Sequence, residues 1–165
     1  MKKLSLSLVL TFCLCLLTAG ASCALSLDEM RTPAEESGFT KTTSSKEVFD
    51  FCKNAAALSK GRVRLEVMGY SPMGKPMPLL VVGNPAPSSP KELNGRVVAY
   101  INCNIHSGEI EGKEAMLIFA REAAQGRHDK MLKNMVVLIS PNMNLDGNDM
   151  LAEHRIDSQP EPRLV

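Results

Sequence analysis

Two short apolar runs rich in β-branched residues constrain this chain most: RVVAYI at 96–101 and MVVLI at 135–139. Each is short enough for a strand and apolar enough to be buried on both faces, as a central strand is. Between them, residues 109–125 carry a helical pattern closed by Gly126, with Ser107 as the expected N-cap. A strand, a helix and a strand in this order form a crossover unit. Parallel neighbours need such a connection, and it is expected to be right-handed. The class that follows is α/β.

The preceding segments add to the same layer. Val48, Phe51, Cys52, Ala55 and Leu58 recur at helical spacing, so 45–59 reads as an amphipathic helix. Ser44 or Ser45 caps it, Glu47 sits in its first turn and Gly61 ends it. RVRLEV and LLVV, joined by a Gly-Lys-Pro turn region, read as a hairpin over 62–82. A hairpin beside a crossover unit predicts a mixed, mostly parallel sheet flanked by helices. Ile105, Met116 and Ile118 are read as core residues.

The first residues are of another kind. Lys2 and Lys3 precede an apolar run of about 14 residues, Leu4–Leu17, and small residues follow to Ala24. That is the order of a signal peptide, and the run is short of the ~20 residues that span a bilayer. Residues 1–24 are therefore expected to direct export, to a secreted or periplasmic location, with cleavage after Ala21 or Ala24. The alternatives are an N-terminal membrane anchor and a lipid on Cys23. Residues 25–44 are read as an N-terminal arm. Without 1–24 the balance is 17 basic against 18 acidic residues, so no nucleic acid or anionic lipid is expected as a partner. Cys52 and Cys103 remain. An oxidising compartment would permit a bond between them, but they fall in different patterns and the unpaired state is the expectation.

The turn that leaves the first run, NCNIHSGEIEG (102–112), places His106 three residues before Glu109. In open α/β sheets ligands gather beyond the carboxyl ends of the strands. Imidazole nitrogen and carboxylate oxygen are both zinc donors, and a catalytic zinc takes three protein ligands and leaves a place for water. A surface histidine beside a glutamate that favours the positive end of a helix gives the same pattern without a metal.

Three ordered segments carry a resemblance to the zinc carboxypeptidase family. MGYSPMGKPMPLLVVG (68–83) resembles the paired strands before its metal site, NIHSGEIEGKEA (104–115) its His-x-x-Glu segment, and VVLISPNMNLDGN (136–148) its strand ending in Asn-Pro-Asp-Gly. Here that tetrapeptide is Asn144-Leu145-Asp146-Gly147, with leucine for proline. The resemblance implies one Zn2+ held by His106 and Glu109, a peptide or protein substrate, and hydrolysis of its C-terminal amide bond. It also implies a second ligand histidine, an Asn-Arg pair for the substrate carboxylate, an oxyanion arginine and a general-base glutamate, all further along. The histidine, the Asn-Arg pair and the glutamate are not found, so the base and the substrate-binding residues stay unassigned. His128 and His154 read as loop residues, and Arg155 or Arg163 are candidates for the arginine. Residues 45–165 are accordingly expected to form a partial, truncated domain of this kind, a peptide hydrolase by family, with the activity of the chain itself left open.

Two other readings compete. One keeps the fold and drops the chemistry, leaving a non-catalytic exported domain that binds peptides or a partner. The other takes residues 142–153 as a calcium loop, with Asn142, Asn144 and Asp146 as ligands, Gly147 at the turn and Glu153 as the bidentate end. Against the calcium loop stands the strand-like MVVLIS where an entering helix is needed.

Overall fold

The computed structural model describes residues 26–150. Five helices and four strands follow in order: α1 (Pro33–Glu36), α2 (Ser45–Leu58), β1 (Val63–Tyr70), β2 (Pro76–Val82), β3 (Val97–Asn102), α3 (Glu111–Ala124), α4 (Asp129–Leu132), β4 (Met135–Ser140) and α5 (Leu145–Met150), with a 3-10 turn at Pro90–Leu93. The strands form one mixed sheet in the order β1-β2-β4-β3.

The hairpin is as expected. β1 and β2 pair antiparallel from Val63 opposite Val82 to Tyr70 opposite Pro76, with a register shift between Val67 and Gly69. β2 then pairs antiparallel with β4, Leu80 opposite Ile139. β3 and β4, joined through α3, pair parallel with Ala99 beside Val137 and Ile101 beside Ile139. The parallel share is thus smaller than expected, one of the three pairings among the described strands.

Helix α2 begins where the sequence places it. The hydroxyl of Ser44 accepts from the Glu47 amide, and the Glu47 carboxylate accepts from the Ser44 amide, a reciprocal cap. Its apolar face lays Val48, Cys52 and Ala55 against Leu117, Ala120 and Ala124 of α3 and against Leu80, Val82, Val137 and Ile139 of the sheet. Full burial of Leu80 or Leu117 contributes about 1.5–3 kcal/mol each.

Two expectations need correction. Among the described strands β3 is the outer one rather than a central one, with Val97 67%, Val98 43% and Tyr100 53% exposed. Its composition matches that of β4, and only the order of the strands separates the two. Ile105 is 53% exposed rather than in the core, while Met116 packs on the core's margin. The arm before residue 45 is docked against α3. Thr32 and Glu35 form a second reciprocal cap on α1. Arg121 of α3 grips Glu35 with two bonds, at 2.6 and 2.9 Å, and also donates to the Met30 carbonyl at 2.8 Å.

Candidate metal centre

Beyond β3 the chain turns sharply at Asn104, whose φ of 57° lies in the left-handed region. Asparagine tolerates this where a branched residue does not. The turn is fastened to the loop after β4: the Met143 amide donates to the Cys103 carbonyl at 3.0 Å, and the Asn144 amide to the Asn104 carbonyl at 3.1 Å. The Glu109 amide then closes back on the His106 carbonyl at 2.9 Å. Helix α3 starts only at Glu111, and Ile110 occupies the cap position with no side-chain bond. Ser107 is therefore not the N-cap. The closed turn consumes 106–109 before the helical hydrogen bonds begin.

This turn brings His106 and Glu109 together. Nδ1 of the imidazole lies 3.1 Å from Oε1 of the carboxylate, and the side chains are 78% and 64% exposed. A carboxylate only accepts, so Nδ1–H is the donor. Two zinc-type donors thus meet at the carboxyl ends of the parallel strands, open to solvent. No group of three or more His, Cys, Asp or Glu side chains able to hold a metal occurs among the described residues.

The neighbouring loop is built for structure. The Gly147 amide donates to Asn144 Oδ1 at 3.0 Å. A β-carbon on Gly147 would lie 2.8 Å from the Asn144 amide, so the Asn144 side chain would have to shift to admit one. Asp146 accepts from the Ser71 hydroxyl at 2.9 Å and the Met73 amide at 3.1 Å, tying the hairpin tip to α5. Lys75 reaches Asp149 at 2.7 Å. Burial would raise the Asp149 carboxyl, but Lys75, the Ser45 amide and Asn148 together hold it down at about 2.

These bonds dispose of the calcium loop. A strand, β4, precedes it, residues Leu145–Met150 form α5, and Asn142 is fully buried with its amide on Ser45. Asn142, Asn144 and Asp146 are engaged by different partners: Ser45, the Gly147 amide, and Ser71 with the Met73 amide. Glu153, His154, Arg155 and Arg163 lie outside the described residues. His128 bonds Glu122 through Nε2 at 2.9 Å and stacks on Phe119, far from a metal role. Cys52 and Cys103 are both free and buried.

Sequence reasoning missed a buried polar cluster behind the turn. Lys113, fully buried, donates to Thr42 Oγ1 at 2.7 Å, the Thr43 carbonyl at 2.6 Å and Asn148 Oδ1 at 2.6 Å. Glu114 beside it accepts from Thr42 and Thr43. The signal was present: Lys113 and Glu114 fall in helical register with Leu117, Ala120 and Ala124, positions that face the core.

Comparison with known proteins fixes the lineage of this arrangement. A model of the zinc carboxypeptidase family matches residues 48–160. No curated protein sequence matches. Among solved structures, thrombin-activatable fibrinolysis inhibitor superposes with a TM-score of 0.60 at 22% identity, covering 75% of this chain and 31% of that one. The bovine form, in complex with tick carboxypeptidase inhibitor, gives 0.57 at 21% over 70% and 35%. Carboxypeptidase A from Helicoverpa armigera gives 0.56 at 18% over 88% and 33%. At these identities the likeness is one of fold, and the chain spans about a third of the length of each structure. With its hairpin, its crossover unit and the exposed His106–Glu109 pair in place, and with the family model matched over most of its length, the chain belongs to the zinc carboxypeptidase family.

Proposed function

We propose that His106 and Glu109 are two protein ligands of a single zinc ion, and that the chain belongs to a hydrolase of C-terminal peptide bonds. The observation that carries this is the approach of Nδ1 to Oε1 within 3.1 Å on an exposed turn. An imidazole and a carboxylate in such a position suit zinc in donor type. Bound zinc supplies Lewis acidity and a water that loses its proton near neutral pH. This chain's part is to hold the two donors at the rim of the sheet and leave their outer side open to a peptide or protein. Export through residues 1–24 is part of the same proposal and rests on their order of charge, apolar run and small residues.

A second reading is favoured by the donor count: two donors among the described residues hold zinc weakly, which suits a domain that binds peptides without cutting them. Zinc content after dialysis, measured by mass spectrometry, separates the possibilities. One zinc per chain, lost in His106→Ala and Glu109→Ala, supports the ligand assignment. No zinc in the wild-type protein refutes it. Release of the last residue from a peptide, abolished by the same substitutions, marks the hydrolase; zinc without release marks the binding domain.

A further inference from the structure

We infer that Asn104 is a positioning residue for the His106–Glu109 turn, holding it to the buried polar cluster through its side-chain amide. Its importance for zinc rests on the ligand assignment above; its control of the turn does not. Asn104 is 3% exposed, although it stands two residues from the open His106. The turn wraps around one end of its amide: the carbonyl oxygens of His106, Ser107 and Glu109 all lie 3.2–3.3 Å away. The other end lies 3.0 Å from the side-chain oxygens of Asn142 and Asn148.

Oxygens therefore face this amide from both sides. The NH2 can serve either side according to how the amide is turned, and in each orientation the side chain lies between turn and cluster. The cluster side is rigidly oriented. Asn148 must present its oxygen, because the Lys113 ammonium donates to it at 2.6 Å, while its own NH2 donates to the Thr43 carbonyl at 3.2 Å. Asn142 donates to Ser45 Oγ at 3.1 Å, which fixes its oxygen toward Asn104. A fixed cluster, a bridging amide and a turn wrapped upon it form a continuous link from Lys113 to the two donors. Groups that orient metal ligands from behind commonly change metal affinity by about 10–100-fold.

The test uses three variants of the full chain. Asn104→Gly keeps the left-handed backbone and deletes the amide. Asn104→Asp keeps the size but offers only oxygen to oxygens on both sides. Arg121→Met loosens α3 through its contacts with Met30 and Glu35, away from the turn. Amide hydrogen exchange is read at Glu109, whose N–H closes the turn, and at β4 amides. The expectation is loss of protection at Glu109 in both Asn104 variants with β4 still protected, and no such local loss in Arg121→Met. Zinc affinity, by competition with a chromophoric chelator, should fall about 10–100-fold in the Asn104 variants. Unchanged exchange at Glu109 in Asn104→Gly, or equal loss in Arg121→Met, overturns the inference. Normal exchange behaviour in a wild-type protein that takes no zinc instead refutes the ligand assignment alone.

Discussion

The ammonium of Lys113 lies 2.6 Å from Oδ1 of Asn148, and both residues are fully buried. The charge is accommodated by Thr42, the Thr43 carbonyl and Asn148, with the Glu114 carboxylate 3.5 Å away. It joins three distant segments: the arm before α2, the first turn of α3, and α5. Lys113→Met would leave those acceptors dry and the Glu114 charge without its counter-ion. Removing one partner of a buried pair costs about 3–5 kcal/mol. Urea unfolding should show that loss as a lower midpoint with an unchanged slope. A change under about 1 kcal/mol would mean that water replaces the ammonium.

Asp149 sets an acid limit on stability. Its carboxyl has an ordinary value of 3.8 and is held at about 2 in the fold. Between these values the unfolded chain takes up the proton and the folded one does not, so falling pH favours unfolding. The contribution is fully present above about pH 3.8 and gone below about pH 2. Unfolding free energy measured from pH 5 to pH 2 should therefore drop less steeply in Asp149→Asn than in the wild type. The remaining slope comes from groups such as Glu29, Glu35, Glu92, Asp129 and Asp146, whose carboxyls are also held low by basic or polar partners. Parallel curves would show that Asp149 titrates normally.

The buried thiols should be silent in the native protein. Burial pushes both Cys52 and Cys103 upward, which leaves almost no thiolate at neutral pH. Cys103 also packs against α3, where a β-carbon on Gly112 would come within 3.4 Å of its sulfur. A thiol-disulfide reagent at pH 8 is expected to label neither residue in native protein and both in denaturant. Rapid labelling of Cys103 without denaturant would show that the strand-to-turn junction opens.

The legible parts of this fold were those set by local chemistry. The Ser44–Glu47 cap, the alternation in β1 and the apolar runs of β3 and β4 each announce an element whatever surrounds it. Strand order is a matter of partners, so Val97 to Ile101 could not reveal that β3 pairs on one side alone among the described strands. The two donors of the candidate site were legible because His106 and Glu109 stand three apart at a strand end. Their support was not: Asn104, Asn142 and Asn148 are 38 and 44 residues apart along the chain. A single uncharged amide carries no sequence signal for what it will touch. Ser107 misled because a small polar residue before a helix reads as a cap even when the turn uses it otherwise.

The edge of β3, unpaired among the described strands, supplies the final expectation. Val98 and Tyr100 share the sheet face with Leu138 and Val136, away from α2 and α3, beside a cavity of about 370 Å³ lined also by Pro87, Pro90 and Leu93. Val97–Ile101 contains neither proline nor charge to discourage another strand from pairing. Concentrated protein should therefore associate through this edge. Val98→Lys places a charge on that face at a residue already 43% exposed, so its cost to the fold should stay within about 0.5 kcal/mol. Sedimentation velocity across a concentration series should show weaker association for Val98→Lys than for the wild type, at an unchanged melting temperature. Equal association would place the contact elsewhere on the surface, and the exposed Tyr70 and Met73 at the tip of the β1–β2 hairpin would be the next residues to change.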